Sequence, residues 1–183
     1  MNKLIAILVV AFVARTATFA IDMSAGGGLA IGSMNYKVTA DVGDYSDSLT
    51  MYGAFGFFDA TYIQVSIGYN KFQSDSDTTS IEFDFLGKYP FSIGKKFTIF
   101  PLAGLGYQKC LSVESGDEAD FNHFILKGGV GGDFAITEKL YARATALIDY
   151  YLDNKSERDA QDDYDVKIST YGFEVSAAVG YKF

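Results

Sequence analysis

The residue types that could support catalysis are few in this sequence, and its single histidine, His123, is the first to consider. Ser112 and Ser115 precede it, and Asp120 lies three positions before it. A serine, a histidine and an acid are the components of nucleophilic hydrolysis, in which the histidine takes the proton of the serine hydroxyl. These residues show no tight spacing, so we predict a solvated histidine at the rim of the fold and no catalytic residue.

Carboxylates are the second source of chemistry, and they gather in four polar stretches at 35–48, 73–78, 109–121 and 153–166. Such loops could bind divalent cations that bridge them to anionic lipid head groups. No stretch has the spacing of a calcium-binding EF-hand loop, and no zinc or phosphate-binding motif is present. We therefore predict solvated acidic loops, no metal site and no cofactor.

Hydrophobic alternation provides the framework that positions these groups. From Tyr171 to Phe183, apolar residues alternate with small or polar ones, and the segment that begins at Met23 does the same. Period-two alternation indicates strands with one face in an apolar medium. Polar connections that alternate between short and long are typical of an up-and-down barrel. The predicted fold is all-β, an eight-stranded antiparallel up-and-down transmembrane β-barrel, with six further strands at 49–58, 61–72, 79–89, 97–108, 122–136 and 139–152.

Two places in this pattern are less regular. Residues 137–152 are rich in Ala and Leu and could also form a helix with Leu140, Ala144 and Leu147 along one side. We favour a strand because an uneven strand count would leave the two termini at opposite ends. Pro101 lies inside another segment and predicts an irregular or bulged position, because proline has no amide proton to give to a ladder.

Alternation alone does not say which face is outside. A soluble lipocalin-like barrel has apolar residues inside, whereas a membrane barrel has them outside. The polar faces here are mostly Gly, Ala and Ser, which suit the crowded interior of eight strands, and aromatic residues gather at strand ends where membrane interfaces would lie. We therefore predict apolar faces outside, including Leu49, Met51, Phe55 and Phe57 in the second strand.

The chain resembles the small eight-stranded outer-membrane barrels of the OmpA/OmpX type, in pattern and over its whole mature length. The most specific element is the end, Tyr181-Lys182-Phe183, and the stretch from Pro101 to Tyr107 resembles the Pro-x-x-Gly-x-Gly strand common in such barrels. The resemblance implies that outer-membrane lipid and the outer-membrane assembly machinery are partners. It also implies that Tyr181 and Phe183 act as an assembly signal.

The N-terminal segment has the layout of an export signal. A basic start is followed by the apolar run Leu4–Ala14 and by small residues up to Ala20, and this run is far shorter than the ~20 residues of a membrane-spanning helix. We predict a cleaved secretory signal peptide at 1–20 and a barrel domain at 21–183. The mature charge is then 13 − 23 = −10, which argues against nucleic-acid binding.

Polar faces that point inward would bring ionisable residues together in the lumen. In a hairpin whose paired positions sum to 276, Asp133 faces Arg143 and Lys127 faces Asp149, so both pairs carry opposite charges. Glu174 would reach Arg143 from the next strand. The predicted lumen ion-pair network comprises Glu82, Asp84, Lys127, Asp133, Arg143, Asp149 and Glu174.

Three functions are compatible with such a barrel. The leading hypothesis is a non-enzymatic membrane-structural or adhesion-type protein whose acidic loops meet an extracellular ligand or a host surface. The alternative is a small pore for ions or apolar solutes, in which the lumen ion pairs act as a gate. A lipid-modifying enzyme that uses His123 is the third, and the lack of catalytic spacing disfavours it.

Overall fold

The computed structural model describes residues 22–40, 43–73, 78–112, 122–152 and 167–183. The predicted signal peptide and most of the predicted acidic loops, including Ser115 and Asp120, lie outside the described residues. No helix in the described ranges is long and apolar enough to cross a membrane. The strands are β1 (Met23–Ala40), β2 (Gly43–Ala60), β3 (Ile63–Gln73), β4 (Thr79–Lys88), β5 (Phe91–Ile93), β6 (Phe97–Ser112), β7 (His123–Ala135), β8 (Leu140–Tyr151) and β9 (Lys167–Lys182).

Eight of these strands form a closed antiparallel barrel. Each pairs with its neighbours along the chain, β9 pairs with β1, and β4 pairs with β6 to complete the ring. The short strand β5 pairs only with β6, inside the connection between β4 and β6. The predicted fold class is therefore confirmed, and the ambiguous segment 139–152 is a strand and not a helix.

The outer face of the barrel is apolar. Leu29, Val130 and Ile148 are 70%, 62% and 64% exposed, and many other large apolar side chains of the described strands share this surface. Soluble monomers rarely expose apolar patches of more than a few hundred Å², so a continuous belt of this kind requires a hydrocarbon environment. The face prediction is thus confirmed for the barrel as a whole, and the fold is a transmembrane barrel.

Aromatic rings mark both rims of this belt. At the end that holds the short connections and the two described termini, here called the turn end, the rings of Phe97 and Phe134 lie 4.9 Å apart. At the opposite end, the loop end, the rings of Tyr107 and Phe124 are also 4.9 Å apart. Aromatic girdles of this type lie at the two membrane interfaces of transmembrane barrels.

The face prediction is wrong for β2. Met51 and Phe57 are only 3% and 5% exposed and point into the lumen, whereas Tyr52 and Phe58 point outward. Both faces of β2 carry aromatic residues, so alternation alone could not orient it. The neighbouring strand decides, because Gly26 of β1 leaves the space that the Phe57 ring occupies.

The predicted loop at 35–48 is mostly strand. The β1–β2 ladder continues to the pair Ala40↔Gly43, and β1 also pairs with β9 as far as Thr39↔Lys167. Gly43, the first residue of β2, has a φ of +139°, a conformation that favours glycine. The hairpin therefore extends well beyond the loop-end aromatic rim.

Pro101 lies where β6 changes partner. Ile99 pairs with β5 and Leu102 pairs with β4, so the missing amide proton of Pro101 falls between two ladders. Its carbonyl accepts a hydrogen bond of 3.3 Å from the amide of Tyr89, and it stays in register with Val130 on β7. The predicted irregularity is thus a change of partner strand, and the β4–β6 register shift lies elsewhere, at Thr79/Ser80.

Candidate functional site in the barrel lumen

The predicted β7–β8 register is the observed one. Asp133 pairs with Arg143, and Lys127 pairs with Asp149. The hairpin turn is short. The amides of Ile136 and Thr137 both donate to the carbonyl of Leu140, at 2.9 and 3.0 Å, and these bonds fix the register from the turn outward. The two pairs lie six positions apart on the inward face and belong to two separate clusters.

The first cluster, here called the turn-end cluster, comprises Asp59, Lys88, Asp133 and Arg143. The Arg143 guanidinium donates to both oxygens of Asp133, at 2.7 and 2.8 Å, and its Nη2 lies 2.7 Å from Oδ2 of Asp59. Lys88 Nζ lies 2.8 Å from the same Asp59 oxygen. Two cations therefore face two carboxylates, and the cluster is electrically balanced.

Aromatic rings and an amide complete the surroundings of Arg143. Its guanidinium carbon lies 4.6 Å from the centre of the Phe57 ring and 4.9 Å from that of Phe100. Nη1 donates to Oε1 of Gln64 at 2.9 Å. Arg143 is 4% exposed, so these contacts replace the hydration that a buried guanidinium loses.

Asp59 is absent from the predicted network because it falls between the predicted strands 49–58 and 61–72. In the structure it is the last inward residue of β2 and is 2% exposed. The alternation of side chains along β2 could have identified Asp59, because residues two positions apart in a strand share a face and Asp59 follows Phe57. Once Phe57 is placed in the lumen, Asp59 must follow it.

An apolar layer crosses the lumen next to this cluster. It consists of Leu86, Phe100, Leu102 and Leu147, each less than 5% exposed. Along β4, Leu86 lies between Asp84 and Lys88, so the layer separates the turn-end cluster from a second charged group. An ion that enters such an apolar layer loses most of its hydration, which costs free energy.

The second group, here called the acidic cluster, comprises Glu82, Asp84, Lys127, Asp149 and Glu174. Lys127 contacts Glu82 directly, and its Nζ lies 3.3 Å from Asp84 Oδ1, 3.7 Å from Glu174 Oε2 and 3.8 Å from Asp149 Oδ1. The predicted contact between Glu174 and Arg143 is wrong. In the β8–β9 register Glu174 lies opposite Leu147, and Arg143 lies opposite Ala178.

His123 is not a solvated rim residue as predicted. It is 6% exposed, its Nδ1 lies 3.4 Å from the carbonyl oxygen of Leu152, and its ring meets that of Tyr151 edge-on at 5.6 Å. The inward phase of β7 explains the burial, because His123 is in phase with Ile125 and Lys127. The acidic residues that precede it in sequence lie outside the described residues.

Among the described residues, little free space remains between the two charged clusters. A cavity of about 30 Å³ lies between the two charged clusters, and its lining includes Ser66, Glu82, Arg143 and Thr145. A cavity needs about 10–15 Å³ by this measure to hold one water molecule, so the space suits one or two. A solute of ordinary size does not fit through this section without rearrangement.

The loop-end part of the β1–β2 hairpin carries its own polar contacts. Lys37 and Asp44 form an exposed ion pair of 2.7 Å, which lowers the pKa of the Asp44 carboxyl and raises that of the Lys37 ammonium. The rings of Tyr36 and Tyr45 lie 6.0 Å apart, and both hydroxyls donate to Oδ2 of Asp47 at 3.5 Å. The neighbouring Tyr45 hydroxyl, together with burial, raises the pKa of Tyr36 to about 12. These groups give the loop-end part of the hairpin a polar and aromatic surface.

The residues of the predicted assembly signal lie at the turn end of the barrel seam. The side chains of Tyr181 and Phe183 are both exposed, and their rings lie 6.0 Å apart. The Phe183 amide donates to the carbonyl of Met23 at 3.1 Å, so the last residue joins β9 to β1. Lys182, between them in sequence, places its Nζ 5.8 Å from the centre of the Tyr141 ring.

No group of three or more His, Cys, Asp or Glu side chains in the described ranges is arranged to hold a metal ion. The carboxylates of the acidic cluster surround the ammonium group of Lys127. The predicted absence of a cofactor stays a prediction.

Comparisons with known proteins support the fold. No protein-family model matches the sequence, and no curated protein matches it significantly. Among solved structures, the Neisserial surface protein A is 15% identical, with a TM-score of 0.52, and the match covers 87% of this chain and 99% of that one. The outer-membrane protein OprG from Pseudomonas aeruginosa is 14% identical, with a TM-score of 0.50, covering 90% and 96%. At these identities the likeness shows the shared fold, that of small outer-membrane barrels.

Proposed function

We propose that the protein is a non-enzymatic barrel of the bacterial outer membrane that acts through its loop-end surface. The observation that carries this proposal is the filled lumen. Two buried charged clusters and an apolar layer occupy its section, and the cavity between them measures about 30 Å³. A barrel that leaves no path for a solute has its loops, its rims and its outer wall as surfaces for interaction.

The β1–β2 hairpin supports a role in surface interaction. It extends beyond the loop-end rim as a paired ribbon and presents the exposed residues Tyr45 and Asp47 together with the Lys37–Asp44 ion pair. Aromatic and charged side chains on a paired ribbon bind a partner at a lower cost in conformational entropy than the same side chains on a flexible loop. The partner we propose is an extracellular ligand or a host surface.

Shortening this hairpin tests the proposal. Residues 36–47 are replaced by an Asn-Gly turn, which preserves the ladder up to Asn35↔Ser48. We expect the barrel to keep its detergent-resistant gel mobility, while bacteria that display it lose adherence to host-cell monolayers. The double variant Lys37→Ala/Asp44→Ala, which keeps the hairpin length, separates loss of charge from loss of the ribbon. Unchanged adherence in a variant that lacks all four loop-end connections would refute the proposal.

The pore alternative predicts stable single-channel conductance of the wild-type protein in planar bilayers. Our proposal of a filled lumen predicts that no such conductance is seen. Conductance that is present in the wild type and changes with Arg143→Ala would replace surface interaction by transport as the function.

We also propose that residues 1–20 are removed on export. The support is their sequence layout, with a basic start, an apolar run and small residues before Ile21. N-terminal sequencing of the protein from purified outer membranes should begin at Ile21. A mature chain that begins at Met1 would contradict this.

A further inference from the structure

The turn end of the barrel exposes more cations than carboxylates. The exposed lysines at this end are Lys95, Lys96, Lys139 and Lys182. The exposed carboxylates that the described residues place at this end are those of Asp22 and Glu138. The predicted acidic loops belong to the opposite end, so an acidic chain has a basic turn end.

Two of these lysines lie against the outer wall of the barrel. The Nζ of Lys96 is 5.9 Å from the centre of the Phe134 ring, and the Nζ of Lys139 is 5.5 Å from the centre of the Tyr181 ring. Both rings belong to the outer face at the turn-end rim and are 39% and 45% exposed. Because rim aromatic rings lie at the membrane interface, the two ammonium groups lie at the height of the lipid head groups.

The backbone fixes the position of both lysines, and their charges are open to an anion. The Lys96 carbonyl accepts a hydrogen bond of 2.8 Å from the Ala135 amide, and the Lys139 carbonyl accepts one of 2.8 Å from the Lys182 amide. Neither Lys96 nor Lys139 forms an ion pair with a carboxylate of the described residues. Lys182 differs from them, because its ammonium group lies over the ring of the buried Tyr141, toward the lumen.

Small residues form a shallow trough on the outer wall between the two rings. Phe134 lies on β7 and Tyr181 on β9, so the rings are two strand spacings apart, roughly 10 Å. Deeper in the membrane, the three strands meet in a cross-strand row of small residues, Gly132, Ala144 and Ala177. Such a row leaves space in which a lipid acyl chain packs against the wall.

We propose that Lys96 and Lys139 bind the head group of an anionic glycerophospholipid whose acyl chain packs on the row of Gly132, Ala144 and Ala177. Ammonium groups attract the lipid phosphate, whereas the ammonium group of a zwitterionic lipid is repelled by them. The short turns of such barrels face the periplasm, so the lipid belongs to the periplasmic leaflet. The site is independent of the proposed surface function, because it lies at the opposite end of the barrel.

The first test measures which lipid lies beside the site. The sequence contains no tryptophan, so Phe97→Trp introduces a single fluorescent reporter next to Phe134, from whose ring the Phe97 ring is 4.9 Å away. Tyr107→Trp provides a matched reporter at the loop-end rim. Each protein is placed in vesicles with equal amounts of phosphatidylglycerol and phosphatidylcholine, in which one lipid or the other is brominated and quenches tryptophan on contact.

The two reporters should differ in the lipid that quenches them. We expect Phe97→Trp to be quenched more strongly by brominated phosphatidylglycerol, with a preference of up to about fivefold, the factor that one lysine contributes near an anionic surface. Tyr107→Trp should show no such preference. Equal quenching of Phe97→Trp by the two lipids would overturn the proposal.

Lysine variants in the Phe97→Trp protein locate the preference. Lys96→Gln/Lys139→Gln should abolish it, and high salt should weaken it by screening. Lys167→Gln/Lys182→Gln removes the same charge from the loop end and from the mouth of the lumen, and it should keep the preference. A preference that persists in Lys96→Gln/Lys139→Gln would refute the assignment to these lysines.

A measurement on the wild-type protein covers the case in which the tryptophan variants do not fold. Native mass spectrometry of the protein, released from micelles with equal amounts of the two lipids, should show retained phosphatidylglycerol in excess over phosphatidylcholine. Equal retention would also overturn the proposal, and it would leave the exposed lysines to a soluble acidic partner.

Discussion

Arg143 and Asp133 face each other across the β7–β8 hairpin, and the guanidinium donates two parallel hydrogen bonds, of 2.7 and 2.8 Å, to the carboxylate. The same guanidinium reaches Asp59 on β2, on the other side of the lumen, at 2.7 Å. One side chain thus connects a local pair with a distant strand. Planar bidentate recognition of this kind is specific to arginine.

Removing this side chain should strongly destabilise the barrel. Arg143→Ala leaves the carboxylates of Asp59 and Asp133, whose side chains are 3% and 17% exposed, with only Lys88 to balance them. Breaking a buried ion pair costs about 3–5 kcal/mol. Arg143→Lys keeps the charge but loses the forked geometry, so we expect an intermediate loss. Urea unfolding in detergent, followed by gel mobility without boiling, measures both. Lys95→Ala, at an exposed turn position, is the control, and equal midpoints for Arg143→Ala and wild type would contradict the role of the cluster.

Two glycines on neighbouring strands should respond oppositely to alanine. A Cβ added at Gly26 would lie 2.6 Å from the Phe57 ring and 2.8 Å from the Cα of Gly180, and it would also clash with the backbone oxygen of Val179. A Cβ at Gly56, on the outer face, would have no contact closer than 3.8 Å. We expect Gly26→Ala to cost about 1–3 kcal/mol of unfolding free energy by overpacking, and Gly56→Ala to be neutral or slightly stabilising. A Gly26→Ala barrel as stable as Gly56→Ala would show that Phe57 does not fill this part of the lumen.

Arginine on the outer wall should be tolerated according to its depth. Val175 lies midway along β9 between the rim residues Tyr171 and Tyr181, whereas Leu111 lies at the loop end of β6. The two side chains are similarly exposed, at 38% and 37%. Val175→Arg should cost about 2–4 kcal/mol in a lipid bilayer, and Leu111→Arg about 0–1 kcal/mol. Unfolding in lipid vesicles measures the difference, and equal costs would mean that the belt is not centred on Val175.

The last residue should affect assembly more than stability. We propose that Phe183 belongs to the signal read by the assembly machinery, since its side chain is 72% exposed and contributes little packing beyond Tyr181. Phe183→Ala should lower the amount of folded barrel in outer membranes, while the unfolding midpoint of purified protein stays near that of wild type. Quantitative gel mobility of membrane fractions measures the first effect and urea titration the second. A normal cellular yield in this variant would remove Phe183 from the signal.

The alternation of side chains is local information, and it was sufficient for the strand number, for the outward face of the other seven barrel strands and for the β7–β8 register. That register follows from a short turn and two opposite-charge pairs only a few residues apart, so no distant part of the chain was needed. The helix reading of 139–152 was resolved by the need for an even strand count.

Only the closed barrel decided which groups meet across the lumen. Phe57 turns inward because Gly26 of β1 leaves room for its ring, which is a property of the neighbouring strand and not of β2 itself. Asp59 lies two positions further on and therefore shares the inward face. Glu174 joins Lys127 and not Arg143 because the β8–β9 register sets its height in the barrel. Contacts between strands that are not adjacent depend on how the whole ring is staggered, and no local pattern in a single sequence contains that quantity.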